Sequence, residues 1–121
     1  MGYRSDVGYV IKFRNIQDRD AYITLCLAKN DENITKAIEE CDCTHLADPI
    51  ITFRADDVKW YSDFPDVRAH TFIYQHAHEV GLGGYRFLAV GEDGAEDYDE
   101  QDDGFDLYDY IHASHQLITD F

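Results

Sequence analysis

The sequence predicts a single α+β domain over residues 1–121, and three observations predict it. Apolar residues recur with period two in some stretches and with helical period in others, and the two kinds alternate along the chain. Hydrophobic residues make up 45% of the sequence, enough for a core at this length despite a formal charge of -15. No internal repeat or linker-like stretch divides the chain, and the one biased segment is 92–103.

Val7, Tyr9, Ile11 and Phe13 alternate with Gly8, Lys12 and Arg14, which predicts a first strand over 6–14. Asn15 or Asp18 is placed to cap a helix near 17–29. Its apolar stripe is Ala21, Leu25 and Ala28 with Ile23 and Leu27, and Cys26 falls on its core side. Ile34, Ala37, Ile38 and Cys41 predict a second helix near 33–41, capped by Asp31 or Asn33. Glu39, Glu40 and Asp42 at its end oppose the helix dipole and read as a solvated face or a second acidic patch.

After Pro49, residues 50–55 read as a strand, 55–57 as a turn or bulge, and 58–61 as a short further strand. Ser62 or Asp63 caps a third helix at 63–80, with Pro65 in its first turn. Its stripe is Ala69, Phe72, Ile73, His76, Ala77 and Val80, and Gly81 stops it. Gly81-Leu82-Gly83-Gly84 follows a helix and precedes a strand. A phosphate-cradling loop needs the reverse order, so this is read as a turn. Residues 85–90, apolar on both faces, read as a central strand. An acidic hairpin loop at 92–104 follows. A last long strand then has Phe105, Leu107, Ile111, Ala113 and Leu117 on one face and Asp106, Tyr108, Tyr110, His112, Ser114 and Gln116 on the other. The order β-α-α-β-(β)-α-β-β is close to the split βαβ pattern of ferredoxin-like folds. It implies an antiparallel or mixed sheet with helices on one face.

Charge is unevenly placed. Residues 1–86 hold 14 acids and 10 bases, a balance of -4, whereas residues 87–121 hold 11 acids and no Lys or Arg, a balance of -11. Such a surface repels nucleic acid and anionic membrane, so the expected partners are basic proteins or cations. No apolar run approaches the roughly 20 residues of a membrane span. The start Met1-Gly2-Tyr3-Arg4-Ser5 leads into no apolar signal core, and position 6 is Asp where a myristoylation motif has Ser or Thr. A soluble intracellular chain is expected. The odd number of cysteines, Cys26, Cys41 and Cys43, predicts free thiols.

The stretch from Glu92 to Asp109 has ten carboxylates in eighteen residues. Tyr98, Phe105, Tyr108 and Tyr110 are interleaved with them. Rigid aromatic area inside a charged rim is what a protein interface needs. The predicted partner-binding residues are Asp97, Tyr98, Asp99, Glu100, Asp102, Asp103, Phe105 and Tyr108. The plain alternative is a solvated loop between two strands. Imitation of nucleic acid is a sharper version. An extended run of this length spans about 60 Å, or about one charge per 6 Å, against one per ~1.7 Å of duplex DNA. The run alone is too sparse. Asp31, Glu32, Glu39, Glu40, Asp42 or Asp48 would have to join the same face, or a homodimer would have to form.

Other chemistry has weaker signals. An EF-hand reading with Gly104 at position 6 puts Asp99 first, Gln101 third and Asp103 fifth, but Tyr110 where a bidentate Glu is needed. Only weak divalent-cation binding is expected, and no cofactor. His70, Tyr74 and His78 lie four apart on one helix face. With His112 or His115 they are candidate transition-metal ligands, the basis for an alternative reading as a small metal-dependent enzyme. Cys41-Asp42-Cys43-Thr44-His45 lacks the paired C-x-x-C spacing of a zinc site. No G-x-S-x-G elbow supports a nucleophile, and Ser62 reads as a cap.

Met1-Gly2-Tyr3-Arg4-Ser5-Asp6-Val7, Val58-Lys59-Trp60-Tyr61, and Gly91-Glu92-Asp93 ahead of an acidic stretch resemble features of small uncharacterised acidic accessory proteins of tailed bacteriophages and prophages. The likeness spans most of the chain and carries over no catalytic residue. It implies an accessory protein in the cytoplasm of a bacterial host, acting on host machinery. Together with the acidic run, it leads to the expectation of a non-enzymatic protein that binds and inhibits a basic, nucleic-acid-handling host protein.

Overall fold

The computed structural model describes residues 3–102, 104–114 and 116–121. Its strands are β1 (Ser5–Phe13), β2 (Ile50–Val58), β3 (Gly83–Gly91), β4 (Glu96–Gln101), β5 (Ile111–Ala113) and β6 (Leu117–Thr119). Its helices are α1 (Ile16–Leu27), α2 (Glu32–Glu40) and α3 (Pro65–Glu79), with a 3-10 turn at Leu107–Asp109. The class is α+β, as the patterning predicts.

β1 is central, with β2 and β3 antiparallel to it on either side and β4 antiparallel to β3, giving the order β2-β1-β3-β4. β2 and β3 therefore run in the same direction across β1, and α3 joins them. The ferredoxin-like order is not reproduced in detail, because α1 and α2 carry the chain from β1 to an antiparallel neighbour.

Period-two patterning puts two different faces on the sheet. Val7, Tyr9, Ile11 and Phe13 of β1, with Ile51, Phe53, Tyr85 and Phe87, pack under the helices against Tyr22, Cys26, Ala37, Ile73 and Ala77. Val10, Ile50, Leu88 and Val90 face the other way and are covered by Leu107, Ile111 and Leu117. Those last three come from the 3-10 turn and the β5–β6 hairpin. Gly8 makes that cover possible: a Cβ there would lie 3.1 Å from Ile111 Cδ1 and 3.0 Å from the Phe53 carbonyl oxygen. The molecule thus has three layers, with helices on one face of the sheet and a small hairpin on the other.

Several elements differ from the expectation. Residues 58–61 form no separate strand, since β2 continues to Val58, although the bulge expected at 55–57 is present: the register along β1 shifts between Ala55 and Val58, and Asp57 is left-handed at φ +56°. The segment 92–104 is not simply a loop, because its middle is β4. Nor is the C-terminal stretch one strand. Asp106 is left-handed, at φ +56°, and turns the chain into the 3-10 turn before two three-residue strands fold on each other. Asn15 caps α1 and Asp31 caps α2, each accepting from backbone N–H groups of its first turn. Neither Ser62 nor Asp63 caps α3. Its N-cap is Phe64, with Pro65 next and no side-chain cap bond, so both side chains are left for other uses. Gly81 follows α3 with φ +75°, the left-handed stop that suits glycine.

Candidate functional site

The acidic run is organised by β4. Antiparallel pairing to β3 places Asp97 opposite Ala89 and Asp99 opposite Phe87, on the helix side of the sheet. Glu96, Tyr98 and Glu100 lie opposite Val90, Leu88 and Arg86, on the hairpin side. The predicted partner-binding residues are therefore divided between two faces. Among the described residues no strand pairs with the outer edge of β4.

On the hairpin side the residues hold one another. Arg86 donates from Nη1 to Glu100 Oε2 at 2.8 Å and from Nε to the Ile111 carbonyl at 2.9 Å. Its guanidinium lies 5.7 Å from the Tyr98 ring centroid and 5.4 Å from that of Tyr108. Tyr108 also stacks on His112 at 4.8 Å. Tyr98 and Tyr108 stay 66% and 54% exposed, enough surface for contact. Phe105, an expected anchor, is instead half-buried against the second core. Tyr110 donates to Asp48 at 2.9 Å and receives Lys12 Nζ at 3.0 Å, so it serves the fold. The Asp102 carboxylate accepts the Gly104 N–H and shapes a turn. Asp103 lies outside the described residues.

On the helix side Asp99 accepts from Gln75 Nε2 and Tyr85 Oη, each at 2.9 Å. This places Asp99 in the sheet and excludes it as the first ligand of a calcium loop. It borders a cavity of about 630 Å3 between the 60–63 segment, α3 and β4. Trp60, Tyr61, Tyr74 and Phe87 supply aromatic lining, and Asp63, Asp97 and Asp99 supply carboxylates; no Lys or Arg lines it. Burial, with the charges of Asp99 and Asp97 adding to it, pushes the Tyr74 phenol up to about 12. This cavity is not legible in the sequence. Asp63 looked like a cap and Trp60 like a strand residue, and only the β3–β4 pairing brings Asp97 beside them.

Among the described residues the candidate histidines do not converge. His70 projects from α3 and is buried, its Nδ1 2.7 Å from Tyr9 Oη and its Nε2 3.1 Å from Glu40 Oε1. His112 lies on β5, over the opposite face of the sheet. His115 lies outside the described residues. Among the described residues no three His, Cys, Asp or Glu side chains come together in a geometry that could hold a metal ion. Cys41 Sγ is 3.1 Å from Tyr9 Oη, and His45 Nε2 is 3.3 Å from Thr52 Oγ1 and 3.5 Å from Asp42, so the Cys41–His45 stretch is engaged with its own surroundings. Cys41, Tyr9, His70 and Glu40 form a continuous polar chain. It is satisfied if the Cys41 thiol donates to Tyr9 Oη, the Tyr9 phenol to His70 Nδ1 and His70 Nε2–H to Glu40. Tyr9 and His70 are buried and neither lines the large cavity, so the chain is closed to a substrate there.

Fold and site together define an α+β domain with an acidic edge strand and an aromatic, carboxylate-rimmed cavity beside it. Comparison with protein-family models, with curated proteins and with solved structures finds no match. Among the described residues no helix is long and apolar enough to cross a membrane.

Proposed function

We propose that this chain is a non-enzymatic acidic protein that binds a basic segment of another protein along β4. One observation carries the reading: an unpaired strand edge whose carboxylates project to both faces, with exposed Tyr98 between them. A free edge offers main-chain hydrogen bonds to an added strand, and alternating side chains supply specificity. Acids on an edge also guard against self-pairing. The same charges that repel a second copy attract a strand bearing Lys or Arg. The six residues of β4 span about 20 Å and carry Glu96, Asp97, Asp99 and Glu100, about one charge per 5 Å, which suits a short basic segment better than imitation of a duplex.

The phage resemblance extends the reading to a target. The partner is a host protein that handles nucleic acid, since such proteins carry exposed basic segments, and occupying that segment blocks it. The test is retention of a bacterial partner on the immobilised protein at low and moderate salt, beside an E96Q/D97N variant whose melting temperature is no lower than that of the unaltered protein. Retention lost with salt and lost in the variant is expected, followed by competition between this chain and nucleic acid for the purified partner. Retention indifferent to either change would sink the proposal.

A further inference from the structure

The cavity beside β4 has the chemistry of a cation socket. Its aromatic walls are mutually braced: Tyr74 and Phe87 stack at 5.2 Å and 15°, and Trp60 and Phe87 at 6.2 Å and 23°. Ring faces present negative charge and attract a flat cation. Asp63 and Asp97 make no hydrogen bond or ion pair with any described side chain. Asp97 and Asp99, two residues apart on one strand face, stand roughly 6.6 Å apart along the strand. The N-terminus of α3 adjoins Asp63 and favours anions, but its dipole amounts to about half a charge against three carboxylates.

The other face of β4 already holds a guanidinium in this manner. Arg86 sits near the rings of Tyr98 and Tyr108 with its Nη1 on the Glu100 carboxylate. The cavity repeats those ingredients, aromatic faces and carboxylates, without an arginine of its own. We propose that it takes the guanidinium of an arginine side chain from the partner segment bound along β4, an inference that rests on the function proposed above. A residue added opposite Asp97 or Asp99 on a fifth strand would point to the same face, about 5 Å away, which brings its side chain to the cavity mouth. Arginine suits the site better than lysine. Its planar group stacks on rings and bridges carboxylates in pairs, where an ammonium is a single strongly hydrated charge.

Trp60 is the only tryptophan, so its fluorescence reports on the cavity directly. The experiment titrates the whole protein with acetyl-Gly-Arg-Gly-amide, and with lysine and norleucine versions, at about 0.15 M salt, where charges beyond roughly 8 Å are screened. A saturable Trp60 change with the arginine peptide is expected, about tenfold weaker with lysine and absent with norleucine. D63N, which leaves β4 untouched, should weaken arginine binding about three- to tenfold, and E39Q, an equal charge change on α2, should not. Equal binding of norleucine, equal weakening by E39Q, or no saturation up to about 10 mM would overturn the socket. Failure of the arginine peptide while a basic partner is still retained through Glu96 and Asp97 would remove the socket alone. Arginine binding with no basic partner retained would remove the edge-strand function alone.

Discussion

His70 is the buried imidazole whose ionisation the fold opposes. Burial beneath Phe53 and Trp60 holds its imidazole below the ordinary value, against the upward pull of Glu40 and Asp66. The unfolded chain takes up the proton near pH 6.5 and the folded chain only at lower pH. The stability that neutral His70 contributes is therefore complete above about pH 6.5 and is lost as the pH falls below it, until the folded group also protonates. Melting temperature should drop between pH 7.5 and 5.5, and the drop should be smaller in H70Q; an equal slope in both would assign the effect to other groups. The thiols give a second residue-scale prediction. Burial pushes Cys41 up to about 12 and Cys43 to about 11. Alkylation at pH 8 should run at least about a hundredfold slower in the native protein than in denaturant, counted by mass spectrometry. Prompt native labelling at Cys41 or Cys43 would contradict their burial. Much at this scale was legible: Cys26 as a core residue, and the caps to within two candidates each, Asn15 or Asp18 and Asp31 or Asn33, of which the fold uses Asn15 and Asp31. Asp63 was not, because Phe64 and Pro65 set the register of α3 in a way that alternative cap residues do not reveal.

At the scale of elements, strands and helices with an unbroken apolar period were readable, and those built from mixed residues were not. β1, α2, α3 and β3 follow their patterns to within a few residues, whereas α1 lies where expected but turns Ala21, Leu25, Leu27 and Ala28 outward and buries Arg19, Tyr22 and Cys26 instead, because Tyr22 reaches across to the Ile73 carbonyl of α3. β4 was hidden because its sequence, Glu96 to Gln101, has no buried face, and it forms because β3 offers it a ladder. The C-terminal strand was over-read, since the alternation of Phe105, Leu107, Ile111, Ala113 and Leu117 skips positions 109 and 115, and the described break at Asp106 is conformational. These late residues still stabilise the whole molecule. Leu107 is fully buried against the second core, where the 3-10 turn meets the hairpin. Leu107→Ala should cost about 2–5 kcal/mol by chemical denaturation, the usual range for a buried leucine. Arg86 also braces this cover through the Ile111 carbonyl, so loosening it should reach β4 and lower its amide protection in hydrogen exchange. A cost under about 1 kcal/mol with β4 unaffected would make the hairpin a passive appendage.

For the molecule as a whole, charge sets stability and binding in opposition, and salt separates them. With 25 acids against 10 bases the folded chain repels itself, most where residues 87–121 hold 11 acids and no Lys or Arg. Salt also weakens favourable pairs such as Arg86–Glu100, Arg54–Asp56 and Lys12–Asp48. Pairs as exposed as Arg54–Asp56 are worth about 0–1 kcal/mol each, the partly buried Arg86–Glu100 pair is screened less, and the pairs are few beside the excess of like charges, so relief of repulsion wins. Raising salt from about 10 mM to 150 mM shortens the screening length from roughly 30 Å to 8 Å, and melting temperature should rise by about 4 °C for each kcal/mol relieved. The same step should weaken attachment to a basic partner, because the attraction across the interface is screened while the fold grows firmer. A partner lost at higher salt from a protein that melts higher is lost by electrostatics and not by unfolding. If melting temperature instead fell with salt, the favourable pairs would outweigh the repulsion, and the acidic strand would belong to an internal charge network before it belonged to a binding surface.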